Sequence, residues 1–171
     1  MVDDLRQLPP GIALRPTTPA DREFLLELYG STRTDELGAV PWAEAAKVGF
    51  VTMQFEAQDA SYRHAYPDGQ FLVVLAAGEP IGRLYLVRLV GELRVIDITL
   101  VPARRAKGTG SALMTWVLAQ ADREALPVTL HVEPWSPAKR LYDRLGFETV
   151  EQRGIYELMR RPPQRQLKTA S

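Results

Sequence analysis

Cysteine is absent from the 171-residue chain, which excludes a disulfide framework, a thiolate metal site and a cysteine nucleophile. Histidine is scarce: the two, His64 and His131, stand far apart, so no zinc or other metal is expected. No apolar run approaches the about 18 residues of a membrane span, and the opening M-V-D-D-L-R-Q-L-P-P has neither a positive n-region nor an apolar core. The expectation is a soluble, cytoplasmic protein without a membrane partner. Net charge is lacking as well. Lys+Arg and Asp+Glu both number 21, for a formal charge of +0, so the overall balance carries no electrostatic footprint of a nucleic-acid binder. Internal repeats are absent too.

What is present is enough for one core. With 46% hydrophobic residues over this length, the chain suits one globular domain and is short for two. Residues 1–10 read as a flexible arm, 11–160 as the domain, and 161–171 as a polar, basic, disordered tail. Ile12–Arg15 is a short strand. Thr18, Pro19 and Asp21 then suit a helix start, with Phe24, Leu25 and Leu28 on one face and the helix fading from Gly30 to Asp35.

A second helix begins around Pro41, its core stripe being Ala45, Val48, Val51 and Phe55. On an adjacent face Gln54, Gln58 and Tyr62 recur every four residues. They face solvent or, with Trp42 and Glu36, line the pocket of a second substrate.

From Gln70 the period shortens. Phe71–Leu75, Ile81–Val90 and Leu93–Val101 read as three successive antiparallel strands, with A-G-E-P and Gly91-Glu92 as turns. A helix over 109–124, a strand over Val128–Glu133, a short helix entered at Ser136-Pro137 and stopped by Gly146, and a hairpin over 147–150 and 155–159 complete the order. The strand after the helical crossover is expected to run parallel to its predecessor. The closing strands offer an edge or face for a homodimer.

The stretch from Val95 to Ala121 organises the rest. A β-branched run, V-I-D-I-T-L-V-P, meets a basic loop, A-R-R-A-K-G-T-G, that opens an apolar helix. The first N–H groups of a helix have no partner within it and carry its positive dipole end. An anion placed there meets several donors. Gly108 and Gly110 allow close approach, and Arg104, Arg105 and Lys107 add positive charge. A phosphate-bearing ligand fits. A dinucleotide fingerprint needs a glycine where Ala112 or Leu113 stands, and a P-loop needs G-x-x-x-x-G-K-[ST]; neither pattern is met.

Arg105 to Gly110 resembles the [QR]-x-x-G-x-[GA] motif of the GNAT superfamily of N-acetyltransferases, and Ala138 to Phe147 resembles that family's A-x-x-L-Y-x-x-L-G-F. The order of elements from Ile12 to Met159 matches as well. The resemblance implies a mixed α/β (α+β) fold: a mostly antiparallel sheet of about six or seven strands flanked by about four helices. It also implies acetyl-CoA as cosubstrate and an amine acceptor. Backbone donors from Ala106, Lys107, Gly108, Thr109, Gly110 and Ser111 would hold the pyrophosphate, with Arg105 and Lys107 beside phosphates. The backbone of Ile98, Thr99, Leu100 and Val101 would run along the pantetheine arm. Lys139 and Arg140 would either reach adenosine phosphates or be solvated. Many relatives have asparagine seven residues before the motif tyrosine, where this chain has Trp135, and Ser136 is the candidate substitute.

Acyl transfer from a thioester to an amine needs a base for the ammonium and an acid for the thiolate. Tyr142 takes the family's acid position. Three residues are base candidates. Asp97 lies mid-strand, where burial would raise its pKa, although a hydrogen-bonded structural role suits it equally. His131 alternates with Leu130 and Val132 and has an ordinary pKa near ~6.5. Glu133 shares its strand face and could act through water.

Overall fold

A computed structural model of the chain describes residues 8–164. Seven strands form one sheet in the order β1-β2-β3-β4-β5-β7-β6. They are β1 (Ile12–Pro16), β2 (Gln70–Ala76), β3 (Glu79–Leu89), β4 (Glu92–Leu100), β5 (Val128–Val132), β6 (Glu148–Arg153) and β7 (Tyr156–Arg161). Every neighbouring pair is antiparallel except β4 and β5, which are parallel and joined by a helical crossover.

Five helices flank the sheet, one more than the pattern suggests: α1 (Arg22–Gly30), α2 (Thr34–Gly38), α3 (Glu44–Ala65), α4 (Thr109–Arg123) and α5 (Lys139–Arg144). The added one, α2, lies where the first helix was expected to fade, with Leu37 buried. Alternation along the strands sorts the faces. Leu84, Leu86, Val95, Leu130 and Val132 pack with Leu113, Met114 and Val117 of α4 and Tyr142 of α5. Leu113, Met114 and Val117 are wholly buried, each contributing about 1.5–3 kcal/mol relative to exposure. On the other face, α1 and α3 pack through Leu25, Leu28, Tyr29 and Phe55.

Two expectations need correcting. Ala45 and Val48 are exposed rather than core, Val48 by 58%. Apolar packing with α1 runs through Val51 and Phe55, and the exposed first turns of α3 overhang. Position 161, assigned to the tail, lies in β7. Arg161 is a buried β7 residue paired with Asp122 at 2.6 Å, and the Gln164 amide donates to the same carboxylate. At the other end, Leu8 already packs on the core. Residues 1–7 and 165–171, assigned to the arm and the tail, lie outside the described residues.

Two features of β4 set up its far end. Leu86 pairs with Val95 and Tyr85 with Asp97, so Ile96 is an extra, bulged residue. Parallel pairing with β5 covers three positions, Leu93↔Val128 to Val95↔Leu130, and there ends. From Ile96 onward the strands part.

Gly82 lets β3 press against β4 beside this point. A Cβ there would stand 2.4 Å from the Thr99 carbonyl oxygen and 2.7 Å from Leu100 Cδ2. Gly82→Ala is therefore expected to destabilise by about 2 kcal/mol, roughly 4–8 °C in Tm. An unchanged thermal melt would contradict this packing.

Candidate active site

The loop between β4 and α4 reaches the helix through two left-handed residues, Ala106 (φ 54°) and Gly108 (φ 86°). The first backbone bond into α4 runs from the Ala112 N–H to the Gly108 carbonyl at 2.9 Å. The amides of Thr109, Gly110 and Ser111 are left without a partner in the helix. Gly108 is glycine for its conformation. Gly110 needs no positive φ, and a Cβ there would only touch Leu100 Cδ1 at 3.8 Å. No contact within the described residues demands glycine at 110, so the space beside the helix start is open.

Where β4 leaves β5, its backbone is divided. The Val101 N–H donates to the Ile81 carbonyl. Antiparallel ladders alternate bonded and non-bonded pairs. With the register Thr99↔Arg83 and Leu100↔Gly82, Thr99 and the Val101 N–H turn to β3, while the Val101 carbonyl accepts from the Arg104 N–H at 2.9 Å. Both were expected along the pantetheine arm. Ile98 and Leu100 face the parted side, although the Leu100 carbonyl already accepts from Arg105 Nε at 2.8 Å. Arg105, expected beside a phosphate, is engaged within the protein. Its other two nitrogens donate to the Ser31 carbonyl and Oγ, at 3.3 and 2.7 Å, and none is turned toward the helix amides as a phosphate ligand would be. Lys107 and Arg140 are exposed and have no side-chain partner among the described residues. Lys139 is engaged by Glu157 at 2.9 Å. Ser136 caps the turn before α5, its Oγ accepting from the Ala138 amide at 3.3 Å, while Trp135 is 68% exposed.

Tyr142 is buried in α5, its ring 5.7 Å from that of Phe147. Its hydroxyl has no hydrogen-bond partner among the described residues. Burial pushes the phenol up to about 12, and the Asp97 carboxylate pushes the same way. It is a protonated donor across the physiological range.

Asp97 fits a base poorly. Oδ1 accepts from Arg83 Nε (3.0 Å) and Thr99 Oγ1 (2.7 Å), and Oδ2 from Arg83 Nη2 (2.8 Å) and the Tyr62 hydroxyl (3.4 Å). A carboxylate has about four acceptor positions, and all are taken. Arg83, 2% exposed, also donates to Gln58 Oε1 at 2.8 Å and lies 5.1 Å from the centre of the Tyr85 ring. Gln58 and Tyr62 thus face the sheet rather than solvent. Gln54 is half-buried, Trp42 leans edge-on against Phe50, and Glu36 pairs with Arg33 on the surface. Sequence reasoning missed Arg83. The signal was a lone cation inside the apolar run I-G-R-L-Y-L-V, across a hairpin from the mid-strand aspartate.

His131 is exposed on the α3 side of β5, between the buried Leu130 and Val132. Partial burial and the Arg94 and Arg153 guanidinium groups hold its pKa below the ordinary 6.5. It is a neutral imidazole at pH 7. Glu133 follows the strand, half-buried. No group of His, Asp or Glu among the described residues could hold a metal ion, and no helix among them is long and apolar enough to cross a membrane.

The acetyltransferase (GNAT) family model matches residues 34–147, from α2 to the end of the α5 turn. The chain belongs to the GNAT acetyltransferase family. No curated protein matches it by sequence. Among solved structures it is similar to the PaiA N-acetyltransferase of Thermoplasma acidophilum in complex with coenzyme A. The TM-score is 0.64 at 18% identity, over 88% of this chain and 98% of that one. An acetyltransferase from Thermus thermophilus gives 0.64 at 17%, over 88% and 96%. A Corynebacterium glutamicum protein described as histone acetyltransferase HPA2 and related acetyltransferase gives 0.62 at 19%, over 92% and 99%. At these identities the likeness is one of fold, the seven-stranded GNAT sheet with its helices.

The room at Gly110 makes a direct test of the loop. Gly110→Asp is expected to melt within about 2 °C of the parent, since an acidic side chain suits a first helical turn. It should bind coenzyme A at least about ten-fold more weakly, through bulk and like charge at the anion site. Undiminished affinity would remove the loop from coenzyme binding.

Proposed function

We propose that this GNAT protein transfers the acetyl group of acetyl-CoA to a primary amine of a small molecule or protein by direct attack. The observation that carries the reading is the end of β4/β5 pairing, with the α4 amides beyond β4 and a Tyr142 hydroxyl that has no partner among the described residues and feels the Asp97 charge on β4. The loop amides from Ala106 to Ser111 would hold the pyrophosphate, with Lys107 adding charge. The Ile98 backbone and the Leu100 N–H would lie along the pantetheine arm. An amide aimed at the acetyl carbonyl stabilises the negative charge that develops there. Arg140 is free to reach an adenosine phosphate, and the capped turn at Ser136 fixes where α5 starts.

His131, neutral at pH 7 and on the open α3 side of the sheet, takes the ammonium proton in this reading. Glu133 can extend the path through water. Tyr142 gives its proton to the departing thiolate, and its raised pKa keeps that proton available. Gln54, Gln58 and Tyr62 form the acceptor wall, and Asp97 serves by holding that wall. Nucleic acid and membrane have no part in the reading.

A thermal shift with acetyl-CoA, read against ATP and NAD, tests the ligand. About 2.7 kcal/mol of added stability is expected at a hundred times Kd, or roughly 5–10 °C. Amine-dependent thiol release tests the reaction. Tyr142→Phe should lower kcat by about 10²-fold with coenzyme affinity nearly unchanged. Binding without thiol release across a broad amine panel would make the chain a coenzyme-binding sensor instead.

The pH profile identifies the base. His131 is a base only when neutral, and its pKa is depressed, so kcat/KM should rise with pH along a limb whose midpoint lies below 6.5 and then level off. His131→Gln should remove that limb and lower the plateau by about 10²-fold. A limb that survives the substitution would assign the base elsewhere.

A further inference from the structure

The loop that receives the pyrophosphate has little to hold its own shape. Ala106 sits at positive φ without being glycine, a strained conformation that persists where the surroundings impose it. Backbone bonds support the turn as far as Arg105, whose N–H reaches the Pro102 carbonyl at 3.2 Å. Between Arg105 and Ser111, the Arg105 side chain is the one that hydrogen-bonds among the described residues. It does so with all three nitrogens. One bond goes back to the Leu100 carbonyl at the end of β4, and two cross to Ser31 just beyond α1, a separation of 74 positions in sequence. Ser31 is itself fixed. Its Oγ donates to the Leu28 carbonyl at 2.6 Å while accepting from Arg105, and its N–H donates to the Glu27 carbonyl.

We propose that Arg105 and Ser31 form a strut that presets the coenzyme loop, making Ser31, at the end of α1 on the acceptor side, a positioning residue for coenzyme binding. The strut rests on the proposed coenzyme binding and goes beyond it. The motif arginine acts by bracing rather than by touching phosphate, and its partner lies outside any coenzyme motif. Because α1 leads directly into α2 and the overhanging start of α3, the strut also ties the loop to the acceptor wall. By linkage, a loop occupied by coenzyme stiffens that wall to the same degree that the wall steadies the loop.

Calorimetric titration of the full chain with coenzyme A decides the matter. Ser31→Ala is expected to raise Kd roughly three- to ten-fold, the loss of a charge-assisted hydrogen bond, with Tm of the free protein within about 2 °C. Ser31→Thr, which keeps the hydroxyl, should restore it. Arg105→Gln should weaken binding at least as much, and the double variant should lose no more than Arg105→Gln alone, because both changes break one strut. An unchanged Kd in Ser31→Ala, or losses that add in the double variant, would overturn the proposal and make Arg105 a direct phosphate ligand. Failure of the parent chain to bind coenzyme A would instead sink the coenzyme reading and take the strut's role with it.

Discussion

Everything at the site depends on β4 ceasing to pair with β5. Backbone N–H and C=O groups need partners, and a parallel pair that stops after three positions leaves the end of β4 with groups to satisfy on that side. The bulge at Ile96 and the close approach at Gly82 set this geometry from the β3 side: β4 stays tightly paired with β3 while it leaves β5. The loop beyond β4 then delivers the start of α4 at the mouth of the gap. Ladder, gap and helix start follow from one strand changing its company, and a long thin ligand with a phosphate end matches that shape.

The second constraint is electrostatic. Placing Arg83 at 2% exposure costs desolvation that only a well-formed ion pair offsets. Asp97 supplies it through two bonds, and Gln58 and the Tyr85 ring complete the guanidinium's surroundings. This pair fastens α3 to the sheet. It also puts a fixed negative charge near Tyr142, which favours the protonated phenol. An aspartate that first reads as a base is held on all sides as an anchor, while His131 stands exposed with its pKa below the ordinary value.

The fold was legible because its signals are local. Period-two strands, the capped and glycine-stopped α5 and the apolar face of α4 each follow from a short window of residues, and the parallel β4/β5 pair follows from the crossover rule. Around the loop, the free amides of Thr109 to Ser111 follow from the helix start and the left-handed Gly108 from its being glycine, whereas nothing in the sequence marks the left-handed Ala106. Where side chains choose partners far away in sequence, legibility failed. Asp97 meets Arg83 across a hairpin, and Arg105 meets Ser31 across the domain, and neither partner is marked by spacing. The stripe through Ala45 and Val48 misled for a related reason: periodicity shows that a face exists and leaves open how much of it another element covers.

The most direct measurement is a crystal structure of the chain with coenzyme A. The pyrophosphate is expected within hydrogen-bond distance of the amides at Gly108 to Ser111, with the pantetheine arm between β4 and β5 beside Ile98 and Leu100 and its sulfur end toward Tyr142. Coenzyme bound outside the gap, or β4 and β5 paired along their full length with the loop amides turned away, would contradict the proposed site.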